Sequence, residues 1–472
     1  MYFQRVYDED LAQASYLIGC QQTGEAIVVD GRRDTDVYRD LAAANGLQVT
    51  AVTETHIHAD YLSGSREIAD VFNATCYVSA EGGQDWQYDF DAERLHHGDT
   101  ITIGNIVLTA LHTPGHTPEH LSFLVTDGAL TDQPGMLLSG DFVFVGDLGR
   151  PDLLDEAAGG IDTRYEGAKQ MYASLRDVFL TLPDYLQVHP AHGAGSACGK
   201  ALGAVPSSTV GYERLYSWWA PYLANDDQDG FIAELLEGQP DAPAYFGRMK
   251  RQNRSGPALL GPRPLPEQVD TGALADDLNH DRVAFLDTRS HTNVHAGTPQ
   301  HALNIPDSGS IATYAAWVID PEQDDRPIVL LADTGAEARR IWDHLIRVGI
   351  DHVTGYTPTI DGLPTTTPDV INVDSYHPDQ AAVTLDVRAK NEHDAGAVPS
   401  STQLHGGRVL WHLDQLPGDG TVITYCRSGV RSSVVASLLR SQGYSVAELE
   451  GSYLAWTAAR KPIERLEPAS AH

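Results

Sequence analysis

Thr55-His56-Ile57-His58-Ala59-Asp60 sets two imidazoles and a carboxylate side by side, directly after the strand-like run Leu47-Gln48-Val49-Thr50-Ala51-Val52-Thr53. A strand ending in such a cluster delivers ligands to a metal, although two close histidines alone could equally be surface or capping groups. Three later segments decide the matter. Thr113-Pro114-Gly115-His116 offers a histidine behind a turn, Leu138-Ser139-Gly140-Asp141 an aspartate after a short apolar run, and His189-Pro190-Ala191-His192 a further histidine. Each follows a strand-like segment and is bounded by Gly or Pro, the pattern by which a sheet presents side chains from loops at one edge.

This ordered series resembles the metallo-β-lactamase superfamily over residues 1–245, which implies an αβ/βα sandwich with metal ligands on loops at one edge. Dinuclear hydrolases of that superfamily, glyoxalase II among them, read H-x-H-x-D-H, and the second metal takes the Asp and the final His. Here the final position is Tyr61. The series is similar to that of persulfide dioxygenases, the mononuclear iron branch, and the resemblance implies that His56, His116 and Asp141 hold one Fe(II) per chain. Two histidines and a carboxylate leave open positions on Fe(II) for a sulfur substrate and O2; zinc would accept the same ligands for hydrolysis. His58, Asp60, Tyr61 and His192 are expected in the pocket, orienting the ligands by hydrogen bonds. His120 reads as a structural or pocket histidine. Arg150, in the Gly149-Arg150-Pro151-Asp152 loop, either pairs with Asp152 or anchors an anionic substrate.

With 472 residues, the chain has room for about three domains. Its formal charge of -33 excludes a nucleic-acid partner, whose phosphates demand a Lys/Arg surface, and disfavours anionic membranes. No apolar run approaches the length of a membrane span, and residues 1–8 are not a signal peptide, so a cytoplasmic protein is expected. Self-association into a homo-oligomer is also expected.

The four cysteines, Cys20, Cys76, Cys198 and Cys426, are too scattered for a disulfide framework. Cys20 and Cys76 read as buried thiols. Cys198 follows His192 in a Gly-rich loop with Lys200, where a neighbouring cation would favour thiolate, although a small buried cysteine fits too. The loop resembles that of bacterial fusions joining a persulfide dioxygenase to rhodanese domains.

Residues 246–268 read as a linker, closing on Gly261-Pro262-Arg263-Pro264-Leu265-Pro266. Beyond it the chain repeats itself. Val283-Ala284-Phe285-Leu286-Asp287-Thr288-Arg289 is answered by Ala382-Val383-Thr384-Leu385-Asp386-Val387-Arg388, and His295-Ala296-Gly297 by Asp394-Ala395-Gly396. The two copies, 269–368 and 369–472, each resemble a rhodanese domain, making the whole an α/β multi-domain protein. Only the second keeps a cysteine: Cys426-Arg427-Ser428-Gly429-Val430-Arg431-Ser432 is a strand-end cysteine opening into a helix, where backbone N–H groups stabilise an anion and Arg427 and Arg431 can steady it. In the first copy Asp333 falls at the corresponding place.

The expected activity is oxidation of a low-molecular-weight persulfide of glutathione or coenzyme A type by O2 to sulfite. Sulfite would then take a sulfane sulfur from Cys426 to give thiosulfate, with Cys198 a candidate relay. The alternatives are a zinc thioester hydrolase fused to a sulfurtransferase, and a sulfur carrier with a degraded metal site.

Overall fold

The computed structural model describes residues 1–153, 163–200 and 202–465, which divide into two compact units, Met1–Ala242 with Phe246–Gly261, and Pro243–Tyr245 with Pro262–His472. The last residues of the 369–472 segment, 466–472, lie outside the described residues.

The first unit is built on two six-stranded sheets. One runs in chain order, β1 (Tyr2–Asp8), β2 (Gln13–Gly19), β3 (Glu25–Val29), β4 (Gln48–Thr53), β5 (Thr75–Ser79) and β6 (Glu93–Leu95). Its first three strands are antiparallel and the remainder parallel. The other comprises β7 (Thr100–Ile103), β8 (Ile106–His112), β9 (Leu121–Asp127), β10 (Met136–Gly140), β11 (Gln187–Pro190) and β12 (Ser208–Thr209). It is antiparallel except where β10 runs parallel to β11.

Alternation sorts the side chains of each strand to two faces. Tyr16, Ile18, Ile27 and Val29 meet Ile101, Leu108, Phe123 and Val125 between the sheets. On the outer face of the first sheet, Leu17, Val28 and Val52 receive Tyr38 and Ile68 from helices Asp36–Ala44 and Ser65–Phe72. The outer face of the second buries Leu137 and Val188 against helices Thr163–Asp177 and Gln228–Leu236. The layers are therefore helix, sheet, sheet, helix, and the expected αβ/βα sandwich is present. Cys76 lies in β5 as expected, and buried Cys20 accepts the N–H of Asn105.

The segment 246–268 is not extended throughout. Phe246–Ser255 is a helix of the first unit, burying Phe246, Met249 and Asn253, and residues up to Leu260 stay attached through Arg33 Nη2 to Ala258 O (2.8 Å) and Leu260 N to Glu67 Oε2 (2.8 Å). Polar composition pointed to a linker, yet Arg248 and Asn253 are buried with Phe246 and Met249, and only Arg251 and Ser255 of the helix are exposed.

The second unit contains two five-stranded, all-parallel sheets. In the first the spatial order is Glu267–Gln268, Val353–Thr357, Ile328–Leu331, Ala284–Asp287, Leu303–Asn304; in the second it is Asp369–Ile371, Ser445–Leu449, Thr421–Tyr425, Val383–Asp386, Thr402–Gln403. The connection order is the same in both. The repeated Asp-x-Arg and Ala-Gly also do the same work: Arg289 Nη2 bonds Asp287 Oδ2 (2.6 Å) and Gly297 O (2.9 Å), and Arg388 Nη2 bonds Asp386 Oδ2 (2.6 Å) and Gly396 O (2.8 Å).

Because the helix Phe246–Ser255 belongs to the first unit, a fragment ending at Gly261 is expected to unfold cooperatively in urea. One ending at Tyr245 should show a lowered midpoint or no cooperative transition.

Candidate functional site

Each metal-ligand candidate sits just past a strand end on one edge of the sandwich: His56 after β4, His116 between β8 and β9, Asp141 after β10 and His192 after β11. His56 Nε2 lies 3.9 Å and His116 Nε2 3.4 Å from Asp141 Oδ2, and these three buried groups form one cluster. Donor atoms around a four-coordinate ion with bonds of ~2.1 Å stand roughly 3.4 Å apart. Neither oxygen of the fully buried Asp141 carboxylate has a hydrogen bond among the described residues. Burying a carboxylate without partners is prohibitive unless a cation offsets it, so the three groups fit a metal ion.

The surrounding bonds aim the rings. Thr55 Oγ1, placed to donate to Asp30, accepts from His56 Nδ1 (2.9 Å); His116 Nδ1 donates to Arg150 O (3.0 Å) and His192 Nδ1 to Ala12 O (3.0 Å). All three are thereby held with Nε2 as the free lone pair, turned inward. Burial first, then neighbouring imidazoles, holds His56 far below its ordinary value, as a ligand requires. His120, read from sequence only as structural or pocket, accepts the N–H of Asp141 at Nε2 (3.1 Å) and shares a proton with Thr113 Oγ1 (2.8 Å). Gly140 between them has φ +55, and a Cβ there would stand 2.5 Å from His120 Nε2. No other residue fits that turn.

His58 takes a different course. Its Nε2 bonds Asp30 Oδ1 (3.1 Å), and although burial opposes it, that carboxylate raises the imidazole to about 9. Its Nδ1 is buried without a partner and lies outside the cluster. Tyr61 donates to Asp30 O (3.1 Å) and accepts from Gln13 Nε2 (3.3 Å).

On the other side of Asp141 a second buried cluster comprises Asp60, His192 and Cys198. His192 Nε2 is 3.4 Å from Asp60 Oδ2 and 3.5 Å from Asp141 Oδ1. The sequence linked Cys198 to a cation, but Lys200 Nζ reaches Glu234 Oε1 (3.1 Å) and the carbonyls of Glu234 and Glu237 instead. Cys198 is buried, and burial together with Asp60 and Asp141 pushes its thiol well above its ordinary value. Arg150 is a structural ion pair with Asp152; its Nη1 also donates to Pro240 O (2.6 Å), and no face of it is left for substrate.

Asn253 was not singled out in the sequence. Its Oδ1 accepts from Ser63 N (2.8 Å), and its Nδ2 donates to His58 O (2.8 Å) and Tyr61 O (2.7 Å), clamping both ends of the ligand loop. No local pattern marks it, because its partners lie about 190 residues away.

In the second unit Cys426 ends the strand Thr421–Tyr425 and is buried. Its Sγ accepts from Gly429 N (3.1 Å) and Ser432 Oγ (3.5 Å) at the mouth of helix Val430–Ser441. The two arginines differ from the expected pair. Arg431 is held by Glu392 through Nη1 (2.6 Å) and Nη2 (2.9 Å), whereas Arg427 is exposed and has no ion pair among the described residues. Asp333 at the matching place in the first copy is exposed, and its N–H goes to Glu337 Oε2 (2.7 Å).

An αβ/βα sandwich with inward-turned histidines around a bare buried aspartate, followed by a strand-end cysteine loop, has the features of an enzyme with a metal-binding domain. Residues 8–192 match the metallo-beta-lactamase superfamily and residues 373–459 the rhodanese-like domain. A solved metallo-beta-lactamase structure from Staphylococcus aureus subsp. aureus COL is 40% identical, with TM-score 0.66, covering 75% of this chain and 98% of that one. The chain belongs to the metallo-beta-lactamase superfamily. It is also similar to the mitochondrial persulfide dioxygenase of Bos taurus, 25% identical over 40% of this chain and 67% of the relative. A hydroxyacylglutathione hydrolase of Polaromonas sp. is 31% identical over 38% of this chain and 61% of its own length.

Replacing Asn253 by Ala would strand two buried carbonyls and an amide, and is expected to cost about 3 kcal/mol of stability. Urea unfolding of the metal-free protein checks this without interference from ligand loss.

Proposed function

We propose that the chain is a non-haem Fe(II) persulfide dioxygenase joined to a sulfurtransferase, acting on a thiol persulfide of glutathione or coenzyme A type and releasing thiosulfate. The reading is carried by the donor set: His56, His116 and Asp141 converge while His58 and Tyr61 are turned to Asp30. The similarity to a persulfide dioxygenase and the rhodanese-like match at 373–459 support it.

Fe(II) held by that set would supply the redox chemistry by which O2 oxidises a sulfur atom. The chain's own part is to orient it. Thr55 and the carbonyl of Arg150 keep both imidazoles in one tautomer, and His120 fixes the backbone of Asp141. Persulfide R-S-SH, O2 and water give R-SH, sulfite and two protons. At the second site, Gly429 N and Ser432 Oγ stabilise sulfur anion on Cys426. Cys426 thiolate takes the outer sulfur of a second R-S-SH and releases R-SH; sulfite then attacks that sulfur, the S–S bond to Cys426 breaks, and thiosulfate leaves with Cys426 as thiolate.

A second reading has its own observation. The Asp60, His192 and Cys198 cluster, sharing Asp141, could hold a second ion, and with zinc in both places the site would hydrolyse a thioester. This is also the chemistry in the name of the hydroxyacylglutathione hydrolase relative. No helix of the described residues is long and apolar enough to cross a membrane, and we place the enzyme in the cytoplasm.

Protein purified anaerobically is expected to carry one iron per chain and to consume O2 on addition of glutathione persulfide. Zinc, with no O2 uptake after Fe(II) loading, would establish the hydrolase. His116→Ala should purify without metal, while His58→Ala should bind it only about tenfold more weakly, as for a residue behind a ligand; equal losses would make His58 a ligand and favour the hydrolase. Cys426→Ser should abolish thiosulfate formation and leave O2 uptake intact.

A further inference from the structure

The cysteine-free copy carries an imidazole with nothing to do. His291 opens the short helix His291–His295 and is half-buried, yet neither ring nitrogen has a hydrogen bond among the described residues. Its ring neighbour is His295, edge-on at 5.7 Å, and His295 is itself taken by Glu448 Oε2 at 3.0 Å.

The opposite side of His291 lies on the sulfur loop of the other copy. A Cβ on Gly429 would stand 3.0 Å from His291 Nε2 and 3.1 Å from Cδ2, and Gly429 has φ +108, so the turn demands glycine where the imidazole approaches it closely. Gly429 is also the residue whose N–H reaches Cys426 Sγ at 3.1 Å. The imidazole and the thiol therefore flank one residue. The approach is held by side chains elsewhere along the same helix: Asn304 of the cysteine-free copy donates its N–H to Ser437 Oγ (2.9 Å) and accepts from Ser433 Oγ (3.0 Å) at Oδ1.

The acceptor at Cys426 finds few free side-chain donors in the catalytic copy. Sulfite brings three oxygens and two negative charges, but Arg431 is committed to Glu392, which leaves Arg427 as the exposed guanidinium of the loop. We propose that the cysteine-free copy completes the sulfurtransferase site, with His291 binding the sulfur acceptor by donating a hydrogen bond to a sulfite oxygen beside Gly429. The inference rests on the reading that Cys426 carries sulfane sulfur. The lone pair on sulfite sulfur forms the new S–S bond as the bond to Cys426 breaks; the electron pair stays on Cys426, and no proton or external oxidant is needed.

The test uses the full-length protein under anaerobic conditions. Cys426 is loaded from glutathione persulfide, the added sulfur is read by intact mass, and discharge is followed against sulfite and, separately, dithiothreitol. His291→Ala is expected to load normally, to need about tenfold more sulfite for half-maximal discharge, as for a lost hydrogen bond to an anion, and to discharge normally to dithiothreitol. His291→Gln, which keeps a donor, should restore most of the sulfite response. Unaltered sulfite dependence in His291→Ala, or equal losses with both acceptors, would overturn the proposal. Wild-type protein that never gains sulfur on Cys426 would instead overturn the reading on which it rests, and the proposal with it.

Discussion

A fully buried aspartate with neither oxygen hydrogen-bonded is the constraint on which the first unit depends. Left alone, such a carboxylate would cost several kcal/mol. Everything nearby prepares it for a cation instead. Three histidines are held in one tautomer by Thr55, Arg150 O and Ala12 O, so their free nitrogens point inward. His120 pins the Asp141 backbone, and Asn253 clamps the loop that carries His56 and His58. These bonds come from five separate stretches of chain, which is why the sandwich must form before the site exists.

The two sulfur positions are electrostatic opposites. Cys198 lies in a dry place beside Asp60 and Asp141, where burial and like charge keep a thiol protonated. Cys426 lies where a backbone N–H and a serine hydroxyl converge on sulfur at a helix start. Cys198 therefore stands among acidic neighbours and Cys426 among hydrogen-bond donors.

In the second unit the two copies share a scaffold and differ at the loop that carries Cys426. Arg289 and Arg388 tie the end of one strand to the same Ala-Gly turn in each copy, and Asp333 stands where the other copy has Cys426. Asn304 and His291 of the cysteine-free copy meet the helix and loop that open at Cys426, and a φ of +108 keeps Gly429 a glycine where His291 approaches it.

Strand-end clusters at His56, Asp141 and His192, the cysteine loop at Cys426 and the internal repeat were legible in the sequence because each depends on neighbours within a few residues. Strand alternation, turns at Gly and Pro, and a cysteine opening a helix are local physics. The sandwich and the ligand set came from the resemblance that this ordered series carries. The residues alone did not say which histidines turn inward. His58 is two residues from His56, yet Asp30, on a different strand end, turns it away. The helix over Phe246–Ser255, the clamp at Asn253 and the capture of Arg431 by Glu392 were not legible either, because each is set by partners many residues distant, and for Cys198 the sequence left a buried and a reactive thiol both open. Sequence determines which groups are available and which strand presents them; only tertiary packing decides which are desolvated and what they face, and desolvation together with nearby charge sets their chemistry.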